Sequence, residues 1–183
     1  MTTYNLLEPT VTTIASPRFD EYRGTHQTQT PDLSRQRFED EIESLAHHSD
    51  FKDLLVAPIK LRESINFAAS QEQLLDDEKY LWVIGKDYVK IALECGDAGR
   101  NTKRKRLSHT NFTGGDDAYA GGELWLKDER SLWVNGGSSR YQPRTEDELN
   151  QIINSFERSG YHVESAGWDS GISSPARFVR IPQ

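Results

Sequence analysis

Residues 80–93 read Tyr-Leu-Trp-Val-Ile-Gly-Lys-Asp-Tyr-Val-Lys-Ile-Ala-Leu. Two β-branched and aromatic runs flank the turn signal Gly85-Lys86-Asp87, which is the pattern of a β-hairpin. A second hairpin pattern follows, with Glu123-Leu-Trp-Leu126 and Ser131-Leu-Trp-Val134 on either side of a turn at Lys127–Arg130. Leu124 and Leu126 alternate with Trp125, so both faces of that strand are partly apolar. Consecutive hairpins predict an antiparallel sheet.

Toward the C-terminus, Thr145 and Glu148 have the spacing of a capping box. Leu149, Ile152, Ile153 and Phe156 then form one helical stripe, and Gly160 stands where a helix ends. Tyr161–Ser165 and Arg177–Ile181 read as the last strands. Between the hairpins, residues 95–106 read as a polar loop and Leu107–Phe112 as a short strand. The expected fold class is α+β: an antiparallel sheet built from β-hairpins with one packing helix, preceded by a short acidic helical region.

That preceding region spans residues 32–78. Phe38, Ile42 and Leu45 recur at helical spacing and predict a helix over 32–46. Ser49 or Asp50 would cap a short helix carrying Phe51, Leu54 and Leu55, interrupted at Pro58. Leu61, Ile65 and Ala68 suit another turn or two, and Ser70 with Gln73 repeats the capping-box spacing ahead of Leu74 and Leu75. Residues 1–31, rich in threonine, read as a mobile N-terminal tail or an arm draped over the body. The expected organisation is therefore a tail at 1–31, an acidic helical segment at 32–78 and an α+β domain at 79–183.

Composition narrows the function classes. No apolar run approaches the roughly 20 residues that cross a bilayer, so no membrane partner is expected. The N-terminus has no basic start followed by an apolar stretch, so no secretory signal is read there. Cys95 is the only cysteine, which excludes an intramolecular disulfide and makes a reducing cytoplasm the expected compartment. The net charge of −7 is uneven: residues 1–78 hold 7 basic and 15 acidic side chains, the remainder 15 and 14. Phosphate neutralisation dominates nucleic-acid affinity, so an acidic chain is a poor general nucleic-acid binder. The acidic helices at 32–78 are instead a candidate contact for a protein partner.

Chemistry concentrates between His109 and Tyr141. The segment His109-Thr110-Asn111-Phe112-Thr113-Gly114-Gly115 places a titratable base among hydroxyls and amides. Tyr119-Ala-Gly-Gly-Glu123 and Asn135-Gly-Gly-Ser138-Ser139-Arg140-Tyr141 follow. If the second hairpin forms, Glu123 and the Asn135 loop lie at the same end of it, which brings a carboxylate near Ser138, Ser139 and Arg140. Each residue also has a structural reading: glycine pairs serve turns, His109 a core hydrogen bond, and Arg140 simple neutralisation of Glu123. In the functional reading, His109, Glu123 and Tyr141 are the candidate catalytic residues. Thr110, Asn111, Gly114, Gly115 and Tyr119 join Ser138, Ser139 and Arg140 as candidate ligand contacts. Glycine-loop amides cradle anions, and an arginine grips phosphate or carboxylate with two parallel hydrogen bonds. Those parts suit a nucleotide-like or other anionic ligand.

The same three motifs, HTNFTGG, AYAGGELW and NGGSSRYQPR, resemble a bacterial domain family prominent in cyanobacteria. More remotely, they resemble domains of secreted effectors and polymorphic toxins, where a histidine element, a glycine-glutamate element and a serine-aromatic element follow in this order. The resemblance covers roughly Tyr80 to Asp169 and brings no activity with it. Arg140-Tyr141 stands where the remoter domains carry His-Tyr, and residues 32–78 have no counterpart.

The basic run Arg100-Asn-Thr-Lys-Arg-Lys-Arg106 reads as a solvated loop, a phosphate contact or a dock for the acidic segment. With one cysteine and neither HExxH nor CxxC, no metal is expected. No cofactor is specified. Three function classes stay open: an enzyme acting as a transferase or hydrolase on an anionic ligand, ADP-ribosyl chemistry included; a non-enzymatic interaction or regulatory protein; and a ligand sensor without turnover.

Overall fold

The computed structural model describes residues 14–57 and 78–178. Both expected hairpins form. Strands β2 (Tyr80–Ile84) and β3 (Val89–Leu93) pair antiparallel, as do β4 (Ala120–Leu126) and β5 (Ser131–Asn135). With β1 (Lys52–Asp53) and β6 (His162–Ser165) they build a six-stranded sheet in the order β1-β3-β2-β4-β5-β6. The fold is α+β, and one pairing departs from the antiparallel pattern: β6 runs parallel to β5. Helix α4 (Glu146–Arg158) makes the crossover that a parallel pair requires. A two-stranded ribbon, β7 (Trp168–Asp169) with β8 (Ser174–Pro175), follows. The strand expected from Arg177 is absent at Arg177 and Phe178, and its remainder lies outside the described residues.

The α4 cap forms by half. Thr145 Oγ1 accepts the Glu148 backbone N–H at 3.1 Å. The Glu148 carboxylate turns instead to the Arg144 backbone N–H and to Tyr22, whose hydroxyl donates to it at 2.8 Å. Burial works to raise the Glu148 carboxyl, but the Arg144 bonds outweigh it and hold the group below its ordinary value.

Strand alternation sorts side chains onto two faces. Trp82, Ile84, Leu124, Leu132 and Val134 point to one face and pack against Ile152 and Phe156 of α4. Leu81, Val83 and Ala92 point to the other, under Leu107, Phe112 and Tyr141. The sheet is thus covered on both faces, where the sequence predicted one packing helix.

Residues 14–31, expected as a mobile tail or an arm draped over the body, form an arm that completes the first core. A 3-10 turn (Ser16–Phe19) leads into α1 (Asp20–Thr25), and Phe19 and Tyr22 are fully buried. Phe19 meets Phe156 edge-on at 5.3 Å. Arg23 ties the arm to the first hairpin by donating to the carbonyls of Gly85 and Tyr88, each at 2.9 Å. Fully burying such side chains stabilises by roughly 1.5–3 kcal/mol each, which offsets part of the cost of ordering the arm. Residues 1–13 lie outside the described residues.

The helices expected over 32–57 do not form. Only a 3-10 turn (Glu39–Ile42) appears, and β1 occupies the stretch read as a helix after Asp50. The spacing of Phe38, Ile42 and Leu45 is helical, but long-range bonds decide. Asn111 Nδ2 donates to the carbonyls of Asp40 and Glu43 at 2.8 and 2.9 Å, and Leu45 N–H donates to Asn111 O at 2.8 Å. Carbonyls engaged from outside are unavailable to an α-helical ladder. The helical expectations at Leu61–Leu75 lie outside the described residues. Leu107–Phe112 is likewise no strand: α3 (Thr110–Thr113) begins there, after Asn111 Oδ1 accepts the Ser108 N–H at 2.8 Å. The polar loop 95–106 contains a short helix, α2 (Asp97–Asn101).

Candidate functional site

The site grows from the charged end of one sheet face. Register puts Leu81 opposite Glu123 and Glu123 opposite Asn135. One residue before β2, Lys79 accepts on its carbonyl the N–H of Glu94, one residue past β3. Lys79, Glu94, Glu123 and Asn135 therefore share a face. The Lys79 ammonium lies 2.8 Å from Glu94 and 3.1 Å from Glu123, with all three side chains no more than 10% exposed. Asn135 Nδ2 donates to Glu123 Oε2 at 3.0 Å, while Asn135 Oδ1 accepts the Gly137 N–H at 2.7 Å and folds the glycine loop back over the strand. Burial works against charge on Glu123. Lys79 and the Asn135 bond outweigh it and keep the carboxyl below its ordinary value, so Glu123 is a fixed anion.

His109 arrives from the turn before α3. Its Nε2 lies 2.9 Å from the Gly122 carbonyl. A carbonyl only accepts, so Nε2 carries the proton and Nδ1 keeps its lone pair. Burial pulls the imidazole down to about 4, so it is neutral near pH 7. No hydrogen bond from another described residue reaches Nδ1. Close approach makes the glycines of β4 necessary here. A Cβ on Gly121 would stand 2.8 Å from His109 Cδ2, and one on Gly122 would stand 2.1 Å from the Asn135 carbonyl.

Arg140 comes from the loop after β5. It pairs with Glu41 at 3.1 Å, both side chains only 3% exposed, and donates to the Asp32 carbonyl. Glu41 spends its other oxygen on the N–H groups of Arg37 and Phe38. Ser138 Oγ accepts the N–H groups of Arg140 and Tyr141 and shapes the turn.

His109, Glu123, Ser138, Ser139 and Arg140 all line one cleft of about 390 Å³. Lys79 and Glu94 line it too, and sequence reasoning missed both. The signal lay in the hairpin register, which sets the two residues flanking β2 and β3 against each other. Four arginines, Arg35, Arg104, Arg106 and Arg177, also line the cleft, and all are exposed. Among the described residues, no hydrogen bond or ion pair holds the side chains of Arg35, Arg106 or Arg177. The cleft thus has an electropositive rim over a buried floor of paired charges.

The other candidates lie elsewhere. Thr110 Oγ1 donates to the Glu41 carbonyl, and Asn111 clamps residues 40–45, so both hold the neighbouring segment in place. Gly114 and Gly115 end α3 beside Ser44 and Ile42. Tyr119 packs with Tyr22 on the α4 side of the sheet. Tyr141 is fully buried, its hydroxyl placed 2.7 Å from Thr113 Oγ1 and donating to the Asp116 carbonyl at 2.7 Å. Burial pushes that phenol up to about 12. A larger depression of about 660 Å³ lies beside Tyr88, but its titratable lining is mainly the exposed Asp87, Asp116 and Asp117, and it includes none of His109, Glu123 and Arg140. The smaller cleft is the chemically equipped one.

No protein-family model, curated protein or solved structure matches this chain. Its functional reading rests on the geometry of the cleft. Among the described residues, no helix is long and apolar enough to cross a membrane, and no group of three or more potential ligands is placed to hold a metal.

Proposed function

We propose that this protein binds a nucleotide-like or other anionic small molecule in the cleft that His109, Glu123 and Arg140 line. The observation that carries the reading is the rim: four exposed arginines line one concave site, three of them with no side-chain hydrogen bond or ion pair to another described residue. Like charges gathered at one mouth repel each other, and an anion relieves that repulsion. Arginine adds a planar fork that matches phosphate or carboxylate oxygens.

A transferase or hydrolase reading rests on the two buried groups beneath. Glu123 is ionised and offers a negative field to a developing positive charge. His109 is neutral and presents Nδ1 as a proton acceptor. ADP-ribosyl chemistry belongs to this class, but its aromatic partner finds no support: Tyr119 and Tyr141 both lie outside the cleft. The reading of residues 32–78 as an acidic partner-binding face loses Glu41, which is buried against Arg140.

Thermal shift with pyrophosphate, ADP and NAD tests the proposal. A ligand at a hundred times its dissociation constant adds about 2.7 kcal/mol. We expect at least one of the three to raise Tm, and the double variant Arg104→Gln, Arg106→Gln to abolish the rise. No shift with any of them refutes an anion site. Turnover lost in Glu123→Gln with binding retained separates an enzyme from a sensor.

A further inference from the structure

We infer that this cleft is built for a ligand carrying two or more phosphoryl groups, a diphosphate ester or a short polyphosphate, rather than for a monophosphate or a carboxylate. The inference deepens the anion reading above and rests on it. Three observations carry it.

The first is the balance of charge. Among the described residues, six basic side chains line the cleft, Arg35, Lys79, Arg104, Arg106, Arg140 and Arg177, against two carboxylates, Glu94 and Glu123. Lys79 pairs with both carboxylates, and Arg140 is buried against a third, Glu41. Six cations then face three anions, an excess of three positive charges. Asp32, held chiefly by Ser34 and then by Arg140 and Arg35, is exposed to water, which screens it. A phosphate monoester carries roughly −1.5 to −2 at pH 7 and leaves part of the excess unmet, which a second phosphoryl group meets.

The second is the way the rim is made. Its four exposed arginines come from three separate stretches of chain: Arg35 from the segment ahead of Glu39, Arg104 and Arg106 from the loop between α2 and α3, and Arg177 from beyond β8. The basic loop is held in shape. The Thr102 hydroxyl is shared between the carbonyls of Gly99 at 2.8 Å and Arg106 at 3.1 Å, and Leu107 N–H donates to the Glu94 carbonyl at 2.8 Å. Lys105 takes a left-handed φ of 62°, a conformation that a lysine adopts only where its surroundings fix it. Arg104 and Arg106, on either side of it, line the cleft, while Lys103 and Lys105 lie outside the lining.

The third is the type of side chain. Each of the four rim cations is an arginine, although the same loop carries two lysines. A guanidinium fork grips two oxygens at once. A carboxylate offers two oxygens and serves one fork, whereas linked phosphoryl groups offer oxygens to several forks together. The cleft volume of about 390 Å³ accommodates such a ligand, since small-molecule sites span roughly 300–1,000 Å³.

Calorimetric titration of the full chain at low salt tests the assignment with inorganic phosphate, pyrophosphate, AMP, ADP and citrate. We expect pyrophosphate to bind at least about ten-fold more tightly than inorganic phosphate, the scale of one further charge-assisted hydrogen bond. Citrate, comparable to pyrophosphate in charge, should bind at least about ten-fold more weakly than pyrophosphate, because it offers carboxylates alone. ADP tighter than AMP by the same factor marks a diphosphate ester as the ligand, and a preference confined to the inorganic pair marks a polyphosphate. Arg35→Gln combined with Arg177→Gln should bring pyrophosphate to within about three-fold of inorganic phosphate. The wild-type panel decides the question even if that variant does not fold. Pyrophosphate and ADP no tighter than phosphate and AMP overturn the inference and leave the anion site standing. Citrate as tight as pyrophosphate overturns the phosphoryl class, and a folded double variant that keeps the full preference overturns the rim as its source. No binding by any probe removes the anion site itself.

Discussion

Lys79 Nζ stands 3.1 Å from Glu123 Oε1, and no motif in the sequence announces the pair. The lysine leads the groups that keep Glu123 charged inside the protein, ahead of Asn135 and Arg177. Removing one partner of a buried pair leaves the other charge uncompensated, at a cost of about 3–5 kcal/mol. Lys79→Met should lose that much stability in urea at pH 7. The gap to wild type should narrow at pH 4, where Glu123, released from the lysine that holds its carboxyl down, can shed its charge by protonation. A constant gap at both pH values contradicts this account.

His109 sets a different pH window. Burial holds its folded value near 4, against an ordinary value of 6.5. The unfolded chain therefore binds the extra proton first as pH falls. The contribution is complete above pH 6.5 and drains away between 6.5 and 4, amounting to roughly 3 kcal/mol. His109→Asn removes the titrating group, so its urea midpoint should fall less than that of wild type between pH 7 and 4.5. Parallel losses in the two proteins would assign the acid sensitivity to other groups.

Glycine contacts offer a graded test of the cleft wall. Gly122→Ala brings a methyl group to within 2.1 Å of the Asn135 carbonyl and 2.5 Å of the Trp82 ring, both on rigid elements. The overpacking cost should reach or exceed about 1–3 kcal/mol. Gly121→Ala presses on the His109 ring and should weaken ligand binding more than it lowers Tm. Gly24→Ala, with nothing within 4 Å, is the control and should be neutral or stabilising by up to ~1 kcal/mol. Denaturant midpoints for the three variants, with titrations of the same samples, check the order.

Arg140 and Glu41 join the loop after β5 to the segment after the N-terminal arm. Arg140→Lys keeps the charge but loses the fork that reaches both Glu41 and the Asp32 carbonyl. Its stability should drop by about 1–3 kcal/mol, the scale of a charge-assisted hydrogen bond. A double-mutant cycle with Glu41→Gln should return a coupling energy well above zero; strict additivity would show that the two side chains act independently.

Local elements were the readable part of this chain. Both hairpins carry their own turn chemistry, and α4 carries its own stripe and cap, so short windows around Gly85, Lys127 and Thr145 contain what those elements need. Hairpin register also implied that Glu123 meets the Asn135 loop. The stretch from Asp32 to Phe51 was not readable in that way, because its conformation is set by Asn111 and Thr110, some seventy positions away. Tyr141 was misread for a related reason. Aromatic rings beside a functional-looking loop suggest stacking, yet this ring fills the second core and spends its hydroxyl on Thr113 and Asp116. Lys79 and Glu94 escaped notice because each is an ordinary charged residue at a strand boundary until pairing sets them together.

The N-terminal arm has a consequence for the order of assembly during synthesis. Phe19 and Tyr22 find their partners, Phe156 and Glu148, more than 120 residues later in the chain. Chains emerge from the ribosome N-terminus first, so the arm spends most of translation without the helix it packs against. Both hairpins can close before α4 appears, but the core beneath Trp82 cannot. A nascent chain arrested before Glu146 should leave the arm open to protease, and one extended well past Arg158 should shield it.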